Sequence, residues 1–143
     1  MRIAAQVAAF PLLLVLAFAA NAYASEYFAG YLFPRVLPRP YAEMVSAAVF
    51  GALTASAVVA WPIVRLYSRR SWLAALGVAA PVMAIRGTDL LHYASTNESR
   101  IIVMSLVEAL VYPLAILAGV GLLSRRAHTS PVAPTKVTSA KPW

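Results

Sequence analysis

Four long apolar runs separated by short clusters of charged, aromatic and proline residues give this chain its pattern. The runs cover residues 3–22, 44–66, 72–93 and 96–123. Each is roughly 20 residues or longer, the length at which an α-helix crosses ~30 Å of hydrocarbon. Backbone amides in lipid must bond within their own segment, so each run is expected to be helical. The pattern therefore predicts an all-α integral membrane protein, an antiparallel bundle of four transmembrane helices.

The first run reads as Ala, Val, Leu and Phe, with Gln6 and Pro11 near its start. Together with Met1, Arg2 and the triplet Ala22, Tyr23, Ala24, it resembles a cleavable signal peptide ending at a small-residue site. The run exceeds the usual signal core of about 7–15 apolar residues, and that length favours a retained helix. Under both readings Ser25 emerges on the outer side.

Residues 23–42 are expected to form an outer loop rich in rings, with Tyr23, Tyr27, Phe28, Tyr31, Phe33 and Tyr41. Amphipathic rings favour the headgroup layer, and an aromatic belt accounts for them more simply than a ligand cage does. Pro34, Pro38 and Pro40 around Arg35 and Arg39 block regular helix there.

In the second run Ala47, Gly51 and Ala55 recur every fourth residue, a small-residue stripe that another helix could approach. Ser46, Thr54 and Ser56 are expected to bond back to their own helix, and Pro62 to bend its inner end. Between the third and fourth runs, Ser95 and Glu98 have the spacing of a capping box, with Ser95 as N-cap. Asn97, Glu98 and Ser99 also match a glycosylation sequon, read here as part of a capped turn.

Composition sharpens this picture. Of 143 residues, 62% are hydrophobic and only 12% charged, about half of what a soluble domain carries. The net charge of +7 would suit a nucleic-acid binder, but the cations sit at the ends of the apolar runs, where topology explains them. With the N-terminus inside, the inner side holds Arg2, Arg65, Arg69, Arg70, Arg125, Arg126, Lys136 and Lys141. The outer side holds Arg35, Arg39, Arg86 and Arg100. Eight against four predicts that both termini are cytoplasmic. Heavy use of Ala and of Arg over Lys points to a bacterial inner membrane. Residues 124–143, basic and rich in Ser, Thr and Pro, read as a disordered cytoplasmic tail. Its cations suit anionic lipid.

Candidate chemistry is confined to charges inside the runs. An ionised side chain near the bilayer centre costs about 2.5–3.5 kcal/mol, so unpaired ones are rare. Arg86 and Glu108 lie on consecutive antiparallel runs. A turn centred at Asn97 would place them at one depth, and one centred at Ser95 would offset them by about one helical turn, ~6 Å, much of which an Arg side chain can cover. Asp89 follows Arg86 by three residues, on the same helix face. The expected site is a buried polar cluster of Arg86, Asp89 and Glu108, with Ser105 and Tyr112 one turn either side of Glu108 to supply hydrogen bonds. His92 lies one turn beyond Asp89, but no nucleophile or ligand set accompanies it, and His128 falls on the opposite side. There are no cysteines, and no catalytic, cofactor or metal motif stands out.

Four segments in so short a chain resemble the small multidrug transporters in gross topology alone. Their working glutamate lies inside the first helix, whereas this first run is apolar until Glu26 at its outer end, so nothing is carried over. The leading expectation is an accessory or interaction subunit that meets a membrane protein partner or itself. The alternative is a small oligomeric transporter or channel using Glu108 and Arg86.

Overall fold

The computed structural model describes residues 2–32, 40–95 and 98–129, and every element in them is helical. Helix α1 spans Arg2–Tyr27 and continues into a π-helical turn at Phe28–Leu32. Helix α2 spans Pro40–Tyr67, α3 spans Ser71–Tyr93 and α4 spans Ser99–Thr129. All four are long and apolar enough to cross a membrane. The chain folds as an all-α four-helix bundle of the multi-pass membrane type.

Aromatic residues mark the two membrane boundaries. Tyr41 and Trp61 lie at opposite ends of α2, and Trp72 and Tyr93 at opposite ends of α3. Their separations of 20 and 21 residues amount to about 30 Å of helix, the thickness of the hydrocarbon layer.

Packing runs along three seams: α1 on α2, α2 on α4, and α4 on α3. The fourth seam, between α1 and α3, is sparse. Small side chains fill the core, with Ala17, Ala55, Val59, Ile63, Ala75, Ala79 and Ile116 fully enclosed. Two glycines set the closest approaches. A Cβ at Gly51 would stand 2.7 Å from the Asn21 carbonyl oxygen and collide with Ser25 Oγ, so α1 and α2 meet there. A Cβ at Gly119 would collide with Ser56 Oγ, and this close approach lets Ser56 donate to the Ala115 carbonyl at 2.7 Å. Ser56 therefore bonds across to α4 instead of back along α2, while Ser46 and Thr54 do bond their own helix. The Ala47, Gly51, Ala55 stripe is buried inside the bundle.

Several boundaries differ from the sequence expectations. The aromatic stretch from Tyr23 to Leu32 is helix, not loop, because tyrosine and phenylalanine do not break helices. Tyr27 stacks on Tyr31 one turn later, with ring centroids 5.1 Å apart. Helix α2 begins at Pro40, a residue suited to a helical first turn because it lacks an N–H to leave unpaired. Ser95 does not cap α4: its hydroxyl donates to the His92 carbonyl at 3.2 Å, closing the end of α3. The Glu98 carbonyl instead accepts from Ile101 and Ile102 at 3.0 and 3.2 Å and starts α4. Residues 124–129 continue α4 and are not tail, since they hold neither proline nor glycine and Ser124 donates back to Val120. The expected tail beyond 129, with Lys136 and Lys141, and the prolines at 34 and 38 lie outside the described residues.

Candidate buried polar cluster

Arg86 sits on α3 seven residues before Tyr93, and Glu108 on α4 nine residues after Ser99. At 1.5 Å per residue, both lie about 10–14 Å from that end of the bundle, inside the span. Helices α3 and α4 pack closely along their length, which brings the two side chains face to face. Arg86 Nε donates to Glu108 Oε2. Arg86 Nη1 donates to Asp89 Oδ2 at 3.0 Å across one turn of α3. The guanidinium thus bridges two carboxylates, one on its own helix and one on the neighbour.

Burial divides the three unequally. The Glu108 side chain is 8% exposed, whereas those of Arg86 and Asp89 are each 30% exposed. Charge-assisted bonds of this kind are roughly twice as strong as neutral ones, and a low dielectric strengthens them further. Arg86 is therefore the tie between α3 and α4 in this half of the bundle, and the more exposed Asp89 completes its coordination.

The expected supporting bonds are absent. Ser105 is buried, but its hydroxyl finds no partner. Tyr112 is also enclosed, yet it packs in the apolar core with Ile116 and Val120 and makes no bond to Glu108. One helical turn brings a residue onto the same face but not to the same neighbour. His92 is likewise separate from Asp89: its ring meets Tyr93 edge-on at 5.0 Å, while Asp89 bonds Arg86. Among the described residues no group of three or more His, Asp or Glu side chains is placed to hold a metal ion.

Sequence reasoning missed the contribution of α1. A cavity of about 170 Å³ lies beside the charge cluster, lined by Asn21 and Ser25 of α1 as well as Arg86 and Glu108. Ser25 Oγ is buried without a partner. The only signal for this in the sequence is that Asn21 and Ser25 are polar residues one turn apart near the end of an otherwise apolar run. Phe18, Ala22, Val82 and Ile85 complete the lining, so the cavity is mostly apolar with one polar side, and it is large enough for a few water molecules or a small polar group. Towards the other end of α1, Phe10 closes against Gly77, where an added Cβ would stand 2.8 Å from the ring.

Compared with protein-family models, with curated proteins and with solved structures, the chain matches none of them.

Proposed function

We propose that this chain is an accessory or interaction subunit of a larger membrane assembly, seated in a bacterial inner membrane with both termini in the cytoplasm. The observation that carries the reading is the partly uncovered ion cluster around Arg86. In hydrocarbon an unsatisfied polar group costs several kcal/mol. Here Arg86 and Asp89 each keep nearly a third of their side chains uncovered. A polar side chain from a neighbouring transmembrane helix would remove that cost. One guanidinium faces two carboxylates, so the complement that fits is a hydrogen-bond donor or a cation. The small-residue stripe of α2 is already used inside the bundle, which leaves the α1–α3 side as the place for such a helix. The distribution of eight inner against four outer cations supports the orientation.

A second reading, a small oligomeric transporter or channel, draws on the same cavity, since intramembrane carboxylates often mark ion paths. Photo-crosslinking separates the two. A photoreactive residue in place of Ile85, which lines the cavity, should join the chain to a different membrane protein, and Arg86→Leu should abolish that adduct. The same probe at Leu53, an exposed residue outside the cavity, should give lipid adducts only. Adducts between two copies of this chain would favour the transporter. Lipid adducts alone at both positions would contradict both readings.

A further inference from the structure

The sparse seam between α1 and α3 has a second hollow, on the other side of the Phe10–Gly77 contact from the charge cluster. It measures about 600 Å³ and is lined by Ile3, Val7, Phe10 and Pro11 of α1 and by Leu73 and Ala74 of α3, with Arg70 at its rim. The volume falls within the range of small-molecule sites, roughly 300–1,000 Å³.

Depth identifies the chemistry that fits. Trp72 and Trp61, both exposed, mark this end of the membrane. Arg70 stands two residues outside Trp72, at headgroup level, while Leu73 and Ala74 stand just inside it. Gly77, against Phe10, is seven residues from Arg70, which puts the floor of the hollow about 10 Å below the guanidinium. An apolar trough therefore descends from a cation at the membrane surface. Among the described residues neither Asp nor Glu pairs with Arg70.

The remaining polar groups of the wall are occupied. Gln6 Nε2 donates to the Leu66 carbonyl at 2.7 Å, satisfying one of the last carbonyls of α2. Tyr67 donates its hydroxyl to the Gln6 carbonyl at 2.6 Å. These two bonds clasp α1 to the end of α2 and hold the wall in place. They also leave Arg70, among the described side chains, as the wall's one cation for a ligand.

We infer that this hollow is a binding site for an anionic phospholipid, with its phosphate on Arg70 and the upper part of one acyl chain between α1 and α3. Charge complementarity selects the headgroup, and the apolar walls select a chain over a free anion. Basic pockets between transmembrane helices are a recurrent way of holding such lipids. The site is independent of the partner proposed for the opposite half of the seam.

Native mass spectrometry of the full chain, with phosphatidylglycerol and phosphatidylcholine of matched chains at equal concentration, tests the inference. The wild type should retain phosphatidylglycerol preferentially. Arg70→Gln should lower that preference about fivefold, the effect of one cation near an anionic headgroup. Arg65→Gln should leave it unchanged, because Arg65 is exposed on α2 and does not line the hollow. Val7→Trp keeps every charge but fills the trough, and should reduce retention of both lipids. Arg70→Lys, which keeps the cation, should behave as wild type and so controls for misfolding of the glutamine variant. Equal losses from Arg65→Gln and Arg70→Gln would mean diffuse surface attraction and overturn the site. Competition by glycerol phosphate without acyl chains, or indifference to Val7→Trp, would overturn it as a lipid site.

Discussion

Arg86 gains two partners and loses its hydration by lying inside the span, so its value to the fold depends on both carboxylates being in place. Removing one side of a buried pair leaves the other charge uncompensated, at a cost of about 3–5 kcal/mol. Arg86→Leu strands Glu108, whose side chain is nearly enclosed, and should destabilise the bundle strongly. Glu108→Leu should cost less, because Asp89 still faces the guanidinium. The double change should recover part of the loss, giving a coupling energy of about 1–3 kcal/mol in a detergent unfolding cycle. Simple additivity would show that the two do not interact. Glycine positions offer a second contrast. Gly51→Ala puts a methyl against the Asn21 carbonyl and Ser25 of α1, where backbone must shift, and should cost about 1–3 kcal/mol. Gly121→Ala meets open space and should gain about 0.5–1 kcal/mol from helix propensity alone. Thermal melts in one detergent would rank the two, and a reversed order would contradict the α1–α2 contact.

Element by element, what could be read from the sequence follows from what hydrocarbon enforces. Four spans were legible because roughly 20 apolar residues in lipid have few alternatives to helix. Their ends were not, because the residues judged to end them do not act on the backbone. Tyr23, Tyr27 and Tyr31 mark an interface without breaking a helix, and Ser124, Arg125 and Arg126 are polar but helix-compatible. Ser95 has the spacing of a cap, yet its hydroxyl is taken by the end of the preceding helix. The pairing of Arg86 with Glu108 could be read by counting outward along two antiparallel helices, because a turn centred at either 97 or 95 leaves the two within reach of an Arg side chain. The share of α1 in that site did not follow, since which edge of an apolar helix faces inward depends on packing. Packing also bears on the signal-peptide alternative. Helix α1 continues without a break through Ala22, Tyr23 and Ala24, and Ala24 is buried. The chain recovered from membranes should therefore retain residues 1–24, and top-down mass spectrometry should find them. A mature protein beginning at Ser25 would remove Asn21, which covers Gly51 together with Ser25, as well as the buried Leu13, Ala17 and Ala24, and would contradict this packing.

At the scale of the whole molecule, one seam is left open where three are filled, and its two halves differ in chemistry. The half beside Arg86 sets an ion cluster against apolar walls; the half beside Arg70 is apolar below a cation. Both descriptions depend on α2, α3 and α4 crossing the bilayer, so that Arg86 and Glu108 lie within it and the turns at Ser68 and Ser95 emerge on opposite faces. The chain has no cysteine, so a single introduced thiol reports its own position without background. Ser68 and Ser95 are both exposed, and each lies in a turn at one end of α3. In intact cells, a membrane-impermeant maleimide should label Ser95→Cys at once and Ser68→Cys only after the membrane is permeabilised. Labelling of both from the same side would contradict the four-span bundle and the sites built on it.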